Sequence, residues 1–288
     1  MTHEQTNEAN ITTNSYLTES AELHLLEAVG LITSSMKRLV PDVCIHSSSS
    51  SQPIDATIST LQQQILTELV GILISQIQNI LRHPQLSVYL NEFGVVVAHK
   101  ISSIASLSKG HSHKTHMTDI PIFMKACEQG VVPCVDVFGQ STATRSRIIV
   151  FIHRMVGCMG KQVLVSLVQP CLQCLFQFAN SSKDIDQAVQ MLNQLMVEFH
   201  TDTVPLLEVL FSHLMDRYTL LMKEVDGSIV TIIGAGDVSN ATAVVPAHLE
   251  AEKVALVKQY ILFLQQIALC DCSSVFYSNP NHMKYFEV

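Results

Sequence analysis

Composition alone excludes several classes of protein for this 288-residue chain. Hydrophobic residues make up 48% of it and charged residues 15%, so it can form a large core and lacks the composition of a disordered protein. A net charge of -8 argues against a uniformly basic nucleic-acid-binding protein, although it leaves room for a local basic region. The eight cysteines are too sparse for a disulfide-stapled secreted domain, and we predict reduced thiols.

The polar start and the apolar segments predict a protein with no secretory signal and no membrane span. Residues 1–14 are polar and are expected to form a disordered tail. The most apolar stretch, ILTELVGILISQIQNIL, contains Glu68, Gln76 and Gln78 and is shorter than a typical membrane-spanning helix.

Residues 15–288 show apolar side chains at helical spacing, and no sustained alternation typical of strands. Ser181 and Asp184 have the spacing of a helix cap with an acidic first turn. The low-charge segment 226–246 is predicted to be an irregular insertion between two helices. The spacing predicts about ten helices: 17–38, 54–82, 86–108, 117–138, 142–158, 161–178, 183–199, 204–224, 247–269 and 273–287.

Short links between these helices predict stacked helical hairpins. The predicted fold class is therefore all-α, as a right-handed α-solenoid of HEAT-like helical hairpins. Periodicity alone leaves a globular helical bundle as the alternative. In a stacked array the terminal hairpins lack a neighbour, so we expect apolar faces at the ends, including Val275, Phe276 and Phe286, and self-association.

Cys171 and Cys174 have the spacing of zinc ligands, but a structural zinc site needs four ligands. Both lie on one face of an apolar helix, which favours packing in the core. Gly234 and Gly236 in IIGAGDVS lack the third glycine and the βαβ context of a dinucleotide-binding turn. Since no catalytic motif is present either, we expect no enzyme activity, no cofactor and no metal.

His111, His113 and His116 carry metal-binding donor atoms, but they lie in a loop with Lys109 and Lys114. That setting favours a solvated turn.

Positive charge is concentrated between residues 99 and 162, where eight cations face three anions, against nine cations and 22 anions in the rest of the chain. These cations are either ordinary solvated helix ends or a track for RNA phosphates. Aromatic residues near them are few, so recognition would depend on shape and phosphate contacts rather than on base stacking. The candidate RNA-binding residues are Lys109, Lys114, Arg145, Arg147, Arg154 and Lys161.

Three stretches resemble one known family, in the family's own order: residues 15–32 (SYLTESAELHLLEAVGLI), residues 149–167 (IVFIHRMVGCMGKQVLVSL), and residues 191–215 with 252–267. This is the tRNA exportin (exportin-T) family of the karyopherin-β group. The resemblance implies that the chain is an internal or truncated segment, from the middle-to-late part of a longer HEAT-repeat superhelix.

The resemblance also implies a function. Family members are nuclear export receptors that bind tRNA together with Ran-GTP, contact nuclear pore proteins and shuttle between nucleus and cytoplasm. The Ran contacts are expected in parts of the parent protein outside this chain. The alternative function is a HEAT-repeat scaffold for protein–protein contacts that binds no RNA.

Overall fold

The computed structural model describes residues 18–36, 52–179, 181–234 and 246–279, together with His282 and Tyr285. These residues form helices with no β-strand among them, so the predicted all-α class is confirmed. The α-helices are α1 (Glu19–Met36), α2 (Gln52–Leu81), α3 (Leu90–Leu107), α4 (Ile120–Ala126), α5 (Val132–Phe138), α6 (Thr142–Met159), α7 (Gln169–Phe178), α8 (Ser182–Phe199), α9 (Val204–Gly234), α10 (Ala247–Leu269) and α11 (Val275–Ser278).

The helices are arranged in two rows, between which the chain alternates. Row A contains α1, α3, α6, α8 and α10, and each packs against the next. Row B contains α2, α4 with α5, α7 and α9, again neighbour against neighbour. From α1 to α9, each row A helix is followed in the chain by a row B element, and the resulting helical hairpins are stacked. This confirms the predicted α-solenoid.

The sequence of α8 shows how a row A helix is specified. The Ser181 hydroxyl accepts a hydrogen bond from the Asp184 backbone N–H at 3.3 Å, as the capping pattern predicts. Ile185, Leu192 and Met196 recur at helical spacing and are buried between the rows. The cap therefore fixes where the helix begins, and the apolar spacing fixes which face packs.

Row B departs from the predicted helices at two prolines. Residues 117–138 form α4 and α5 joined by a π-helical turn at Cys127–Val131, and a second π-helical turn at Leu164–Val168 precedes α7. Pro133 has no N–H for the carbonyl of Gln129, four residues earlier. That carbonyl instead accepts from the Gln78 side chain of α2 at 3.2 Å. The two π-helical turns pack against each other.

The C-terminal part of the chain differs from the prediction in two ways. Helix α9 continues to Gly234, so the irregular insertion predicted from residue 226 is wrong at its start; residues 235–245 and the predicted tail 1–14 lie outside the described residues. Val275, expected to be exposed, is fully buried because α11 folds back onto α9. Phe276 is partly buried, and Phe286 lies outside the described residues.

One helix in the described ranges, at Thr60–Leu81 of α2, is long and apolar enough to cross a membrane by length and composition. The prediction that this stretch is too short is therefore wrong on length, although core helices often satisfy the same test. Polar side chains of the helix bind its neighbours, since Gln62 donates to Asp119 at 3.3 Å and Gln78 to the Gln129 carbonyl. These contacts favour α2 as a packed row B helix.

Gly30 of α1 lies close to the backbone of α3. A Cβ atom at this position would lie 2.4 Å from the carbonyl oxygen of Leu107, which belongs to the backbone of α3. Only glycine fits here without separating the two helices.

We expect Gly30→Ala to lower the free energy of unfolding by about 1–3 kcal/mol, because the new methyl group meets backbone that cannot rotate away. Gly71→Ala in α2 is the matched control, since a Cβ there has no neighbour within 4 Å. It should raise stability by about 0.5–1 kcal/mol through helix propensity. Denaturant unfolding followed by circular dichroism measures both, and equal stability of the two variants would contradict the close approach.

Candidate nucleic-acid interface

The cations at the start of the basic window are largely neutralised by α1. The His99 Nε2 atom lies 3.1 Å from Glu22, Lys100 Nζ lies 3.7 Å from the same carboxylate, and Lys109 pairs with Glu27. Burial alone would raise the pKa of Glu22, but the hydrogen bond with His99 and the charges of Lys100 and His99 together hold it below its usual value. The carboxylates of α1 therefore neutralise the cations of α3 and of the turn that follows it.

Arg145 was predicted to contact RNA, and the structure contradicts this. Its side chain is only 3% exposed. The guanidinium donates to the carbonyl oxygens of Gly139 and Gln140 at 3.1 and 2.8 Å, and it lies 3.3 Å from a carboxylate oxygen of Asp184 in α8. Every one of these contacts joins α6 to its surroundings. Arg145 is therefore a packing residue, and the prediction that it binds RNA is wrong.

Lys161 follows α6 in the turn that leads towards row B. Its Nζ atom lies 3.3 Å from Asp202, and both side chains are mostly exposed. Ion pairs in solvent contribute little, typically about 0–1 kcal/mol, so Lys161 can exchange this partner for another anion.

The remaining candidates, Lys114, Arg147 and Arg154, are exposed and have no ion pair within the part of the chain that the structure describes. Arg147 and Arg154 lie on one face of α6, seven residues apart. His153 lies beside Arg154, and burial holds the pKa of its imidazole below the usual value, against the opposing effect of a hydrogen bond with the Gln194 side chain. The imidazole is therefore neutral at pH 7. The free positive charge on this helix comes from the two arginines.

A groove of about 460 Å³ runs beside Arg147, between α6 and α8. Val150 and His153 line it from α6, and Gln187 and Gln190 line it from α8. It offers a cation and amide groups with no carboxylate among its lining residues, a chemistry that suits an anionic ligand.

The three histidines of the turn after α3 are structural, and the predicted solvated turn is wrong for two of them. His111 and His116 are buried. His111 lies 2.9 Å from Asp119 and 3.2 Å from the Thr33 hydroxyl of α1, while His116 binds the Ser34 carbonyl at 3.0 Å.

His113 is the third anchor, and it joins the same turn to α6. Its ring and its backbone N–H both lie 3.0 Å from the carbonyl oxygen of Gly157. The turn that carries Lys109 and Lys114 is therefore held in place from both sides.

Cys171 and Cys174 pack in the core, as predicted. The Cys174 thiol donates to the Val135 carbonyl at 3.2 Å, and burial raises its pKa to about 11. Within the described ranges, no three His, Cys, Asp or Glu side chains converge as a metal site would require.

An apolar pocket of about 490 Å³ lies between α9 and α10. Met215, Met222 and Leu264 line it together with the stacked rings of Tyr218 and Tyr260, 5.0 Å apart. Burial, followed by the neighbouring Tyr260, raises the pKa of Tyr218 to about 12, so its phenol stays protonated at neutral pH.

Comparison with known proteins bears directly on the predicted resemblance. The family model described as Exportin-T matches residues 2–233, most of the chain. The chain belongs to the Exportin-T family. Exportin-T of Oryza sativa subsp. japonica is 26% identical over 190 residues, which are 65% of this chain and 18% of that relative. The chain therefore spans less than a fifth of the relative's length, and no solved structure matches it significantly.

The sequence of this Exportin-T family member did not reveal the acidic side chains that pair with two of the candidate cations. Asp184 lies 39 residues from Arg145, and Asp202 lies 41 residues from Lys161. Nothing local marks these acidic residues as partners. The sequence does place Asp184 in the first turn of a capped helix, but that position does not identify Arg145 as its partner.

We expect Arg145→Ala to lower the free energy of unfolding by about 2–4 kcal/mol, because it removes the guanidinium donor from the Gly139 and Gln140 carbonyl groups and breaks the ion pair with Asp184. Arg147→Ala on the same helix should change stability by no more than about 0.5 kcal/mol, because that side chain is exposed. Thermal or urea unfolding compares the pair. If Arg145→Ala leaves the free energy of unfolding unchanged, the packing role is wrong and Arg145 is again a candidate for RNA binding.

Proposed function

We propose that the parent protein of this chain is a nuclear export receptor for tRNA, and that this chain supplies part of the tRNA-binding surface. Membership of the Exportin-T family supports the export role. The stacked helical hairpins supply an extended surface of the kind that solenoid proteins use to bind large partners.

The observation that carries the proposal for this segment is the pair of free arginines on α6. Arg147 and Arg154 are exposed, and neither has a counter-ion among the described residues. Seven residues of α-helix place them about 10 Å apart along the helix axis. Lys114 belongs to the turn that His113 fastens to the end of this helix. Three cations on one rigid support are suited to binding neighbouring phosphates.

Lys109 and Lys161 are secondary members of the proposed surface. Each is paired with a carboxylate, Glu27 for Lys109 and Asp202 for Lys161. A phosphate has to displace that carboxylate, so each of these lysines contributes less than a free cation.

The proposed recognition is through phosphates and shape, with little reading of bases. The aromatic residues nearest the cations, Phe123, Phe138 and Phe151, are fully or almost fully buried, so they are not available to stack on a base. Phosphate contacts carry no direct sequence information, which suits a receptor that accepts tRNAs of different sequence.

The other proposed partners belong to the parent protein. The receptor binds tRNA together with Ran-GTP, contacts nuclear pore proteins and shuttles between nucleus and cytoplasm. The proposed Ran contacts lie in parts of the parent protein outside this chain. Family membership is the support for these partners.

The test of tRNA binding uses the complete 288-residue chain and the triple variant Lys114→Glu, Arg147→Glu, Arg154→Glu. We expect at least about tenfold weaker tRNA binding at low salt, since three phosphate contacts are lost and repulsion is added. The slope of log K against log salt concentration should fall in magnitude by about 2–3. Fluorescence anisotropy across a salt series, with two tRNAs of different sequence, measures both quantities.

The matched control carries the same change of charge elsewhere. Arg82, Lys223 and Lys258 are also exposed, and the control replaces all three with Glu. Its salt slope should stay within about 0.5 of the unmodified chain, because counter-ion release follows the contacts actually made. Equal loss in the two triple variants would mean that net charge alone drives binding, and unchanged binding in the first would refute the proposed surface.

A further inference from the structure

Neutral polar groups line the groove between α6 and α8 beside Arg147. Ser146 lines it from α6 and Gln187 from α8, and both residues are half-buried. A phosphate is bound by hydrogen-bond donors, and Arg147 supplies them. Phosphate binding does not explain a hydroxyl and an amide in the same groove, because each of these groups can also accept a hydrogen bond.

The Ser146 hydroxyl is available to a ligand. Serines inside a helix can donate to the carbonyl oxygen four residues earlier, as Ser102 does to Ala98 and Ser103 to His99, both at 3.0 Å. The Ser146 side chain makes neither this hydrogen bond nor any other with the residues that the structure describes. It can therefore both donate to a bound molecule and accept from it.

Of the two glutamines in the groove, Gln187 has the free amide. Gln190 donates to Asp186 of the same helix at 2.7 Å, which ties its amide nitrogen to that carboxylate. The Gln187 side chain has no hydrogen bond within the described ranges. A primary amide donates from its nitrogen and accepts at its oxygen. Gln187 can therefore pair with a ligand hydroxyl in either direction.

Aliphatic side chains of α6 make up much of the remaining lining. They are Ala143, Ile149 and Val150, and Val150 is 45% exposed. The groove thus combines a cation, two neutral groups that donate and accept, and an apolar surface. A sugar phosphate has the matching parts, since it carries a charged phosphate, hydroxyl groups and C–H groups that pack on aliphatic side chains.

We propose that this groove binds a ribose of RNA and recognises its 2′-hydroxyl group through Ser146 and Gln187, while Arg147 binds the adjoining phosphate. The inference rests on the proposed RNA-binding function of α6. The 2′-hydroxyl is both a donor and an acceptor, and it is the group that distinguishes RNA from DNA. It is attached to the carbon next to the one that carries the 3′-phosphate, so a single nucleotide supplies both groups. The groove therefore selects the type of sugar without reading a base.

The test uses the complete chain and the groove variant Ser146→Ala with Gln187→Met, which removes both hydrogen-bonding groups and keeps the charge. The probes are a tRNA and the same sequence built from 2′-fluoro nucleotides, which retain the phosphates and the A-form geometry but lack the 2′-hydroxyl donor. The unmodified chain should bind the natural tRNA about fivefold more tightly than the fluoro form, as the loss of one hydrogen bond predicts. The groove variant should bind the two equally.

The salt dependence separates sugar recognition from phosphate binding. Neither Ser146 nor Gln187 is charged, so the slope of log K against log salt concentration should be the same for the groove variant and the unmodified chain. A slope that falls by about one would mean that the variant had lost a phosphate contact, and it would overturn the inference. Fluorescence anisotropy across a salt series measures the affinities and the slopes.

The matched control makes the same two substitutions on another helix. Ser75→Ala with Gln76→Met alters exposed residues of α2, and this variant should keep the full preference for the natural tRNA. Tight tRNA binding without a preference over the fluoro form, or a preference that the groove variant retains, would overturn this inference and leave the proposed function standing. An unmodified chain that binds neither probe would refute the proposed function, and this inference with it.

Discussion

Each helix in the described part of the chain packs mainly against the helices directly beside it and opposite it. Helix α3 has α1 and α6 as neighbours in row A and α2 opposite, and its Val97, Ile101 and Ile104 are fully buried. Helix α1 packs on α3 and α2, has no described row A helix on its other side, and keeps Leu25 and Ile32 exposed. Because burial is local in this way, stability is a sum of contacts between neighbouring hairpins, and a change at Gly30 acts first on the hairpins that meet there.

The same arrangement decides which charges remain available to a partner. Side-by-side packing brings Glu22 and Glu27 of α1 to the cations of α3 and of the turn that follows it, and it brings Asp184 of α8 to Arg145 of α6. A window of sequence with a net positive charge therefore becomes a narrower positive surface in the folded chain. That surface is centred on the exposed arginines of α6.

The parts of the fold that depend on short-range patterns could be predicted from the sequence. Helical spacing, the cap at Ser181 and the core position of Cys171 all follow from residues within a few turns of one another. Features with distant partners could not be predicted. The hydrogen bond between His111 and Thr33 spans 78 residues, and together with the contact to Asp119 it makes a buried anchor of a histidine in a polar loop.

The candidate RNA-binding surface also has features that the sequence could predict and features that it could not. Exposure of Arg147 and burial of Arg145, two residues apart on one helix, follow from their different angles around the helix axis. The apolar spacing of α6 contains that information, since Ile148, Ile152 and Met155 mark its buried side. The acceptors that hold Arg145 lie outside the helix, so its role needed the folded structure.

The paired π-helical turns of row B give the array a mechanical asymmetry. Cys127–Val131 and Leu164–Val168 lie side by side, each just ahead of a proline that lacks an N–H donor, while α3 and α6 in row A run without interruption. Each of these prolines removes one backbone hydrogen-bond donor from the seam, whereas α3 and α6 contain no proline. We therefore expect the array to bend more easily in row B than in row A, where α3 and α6 are continuous helices.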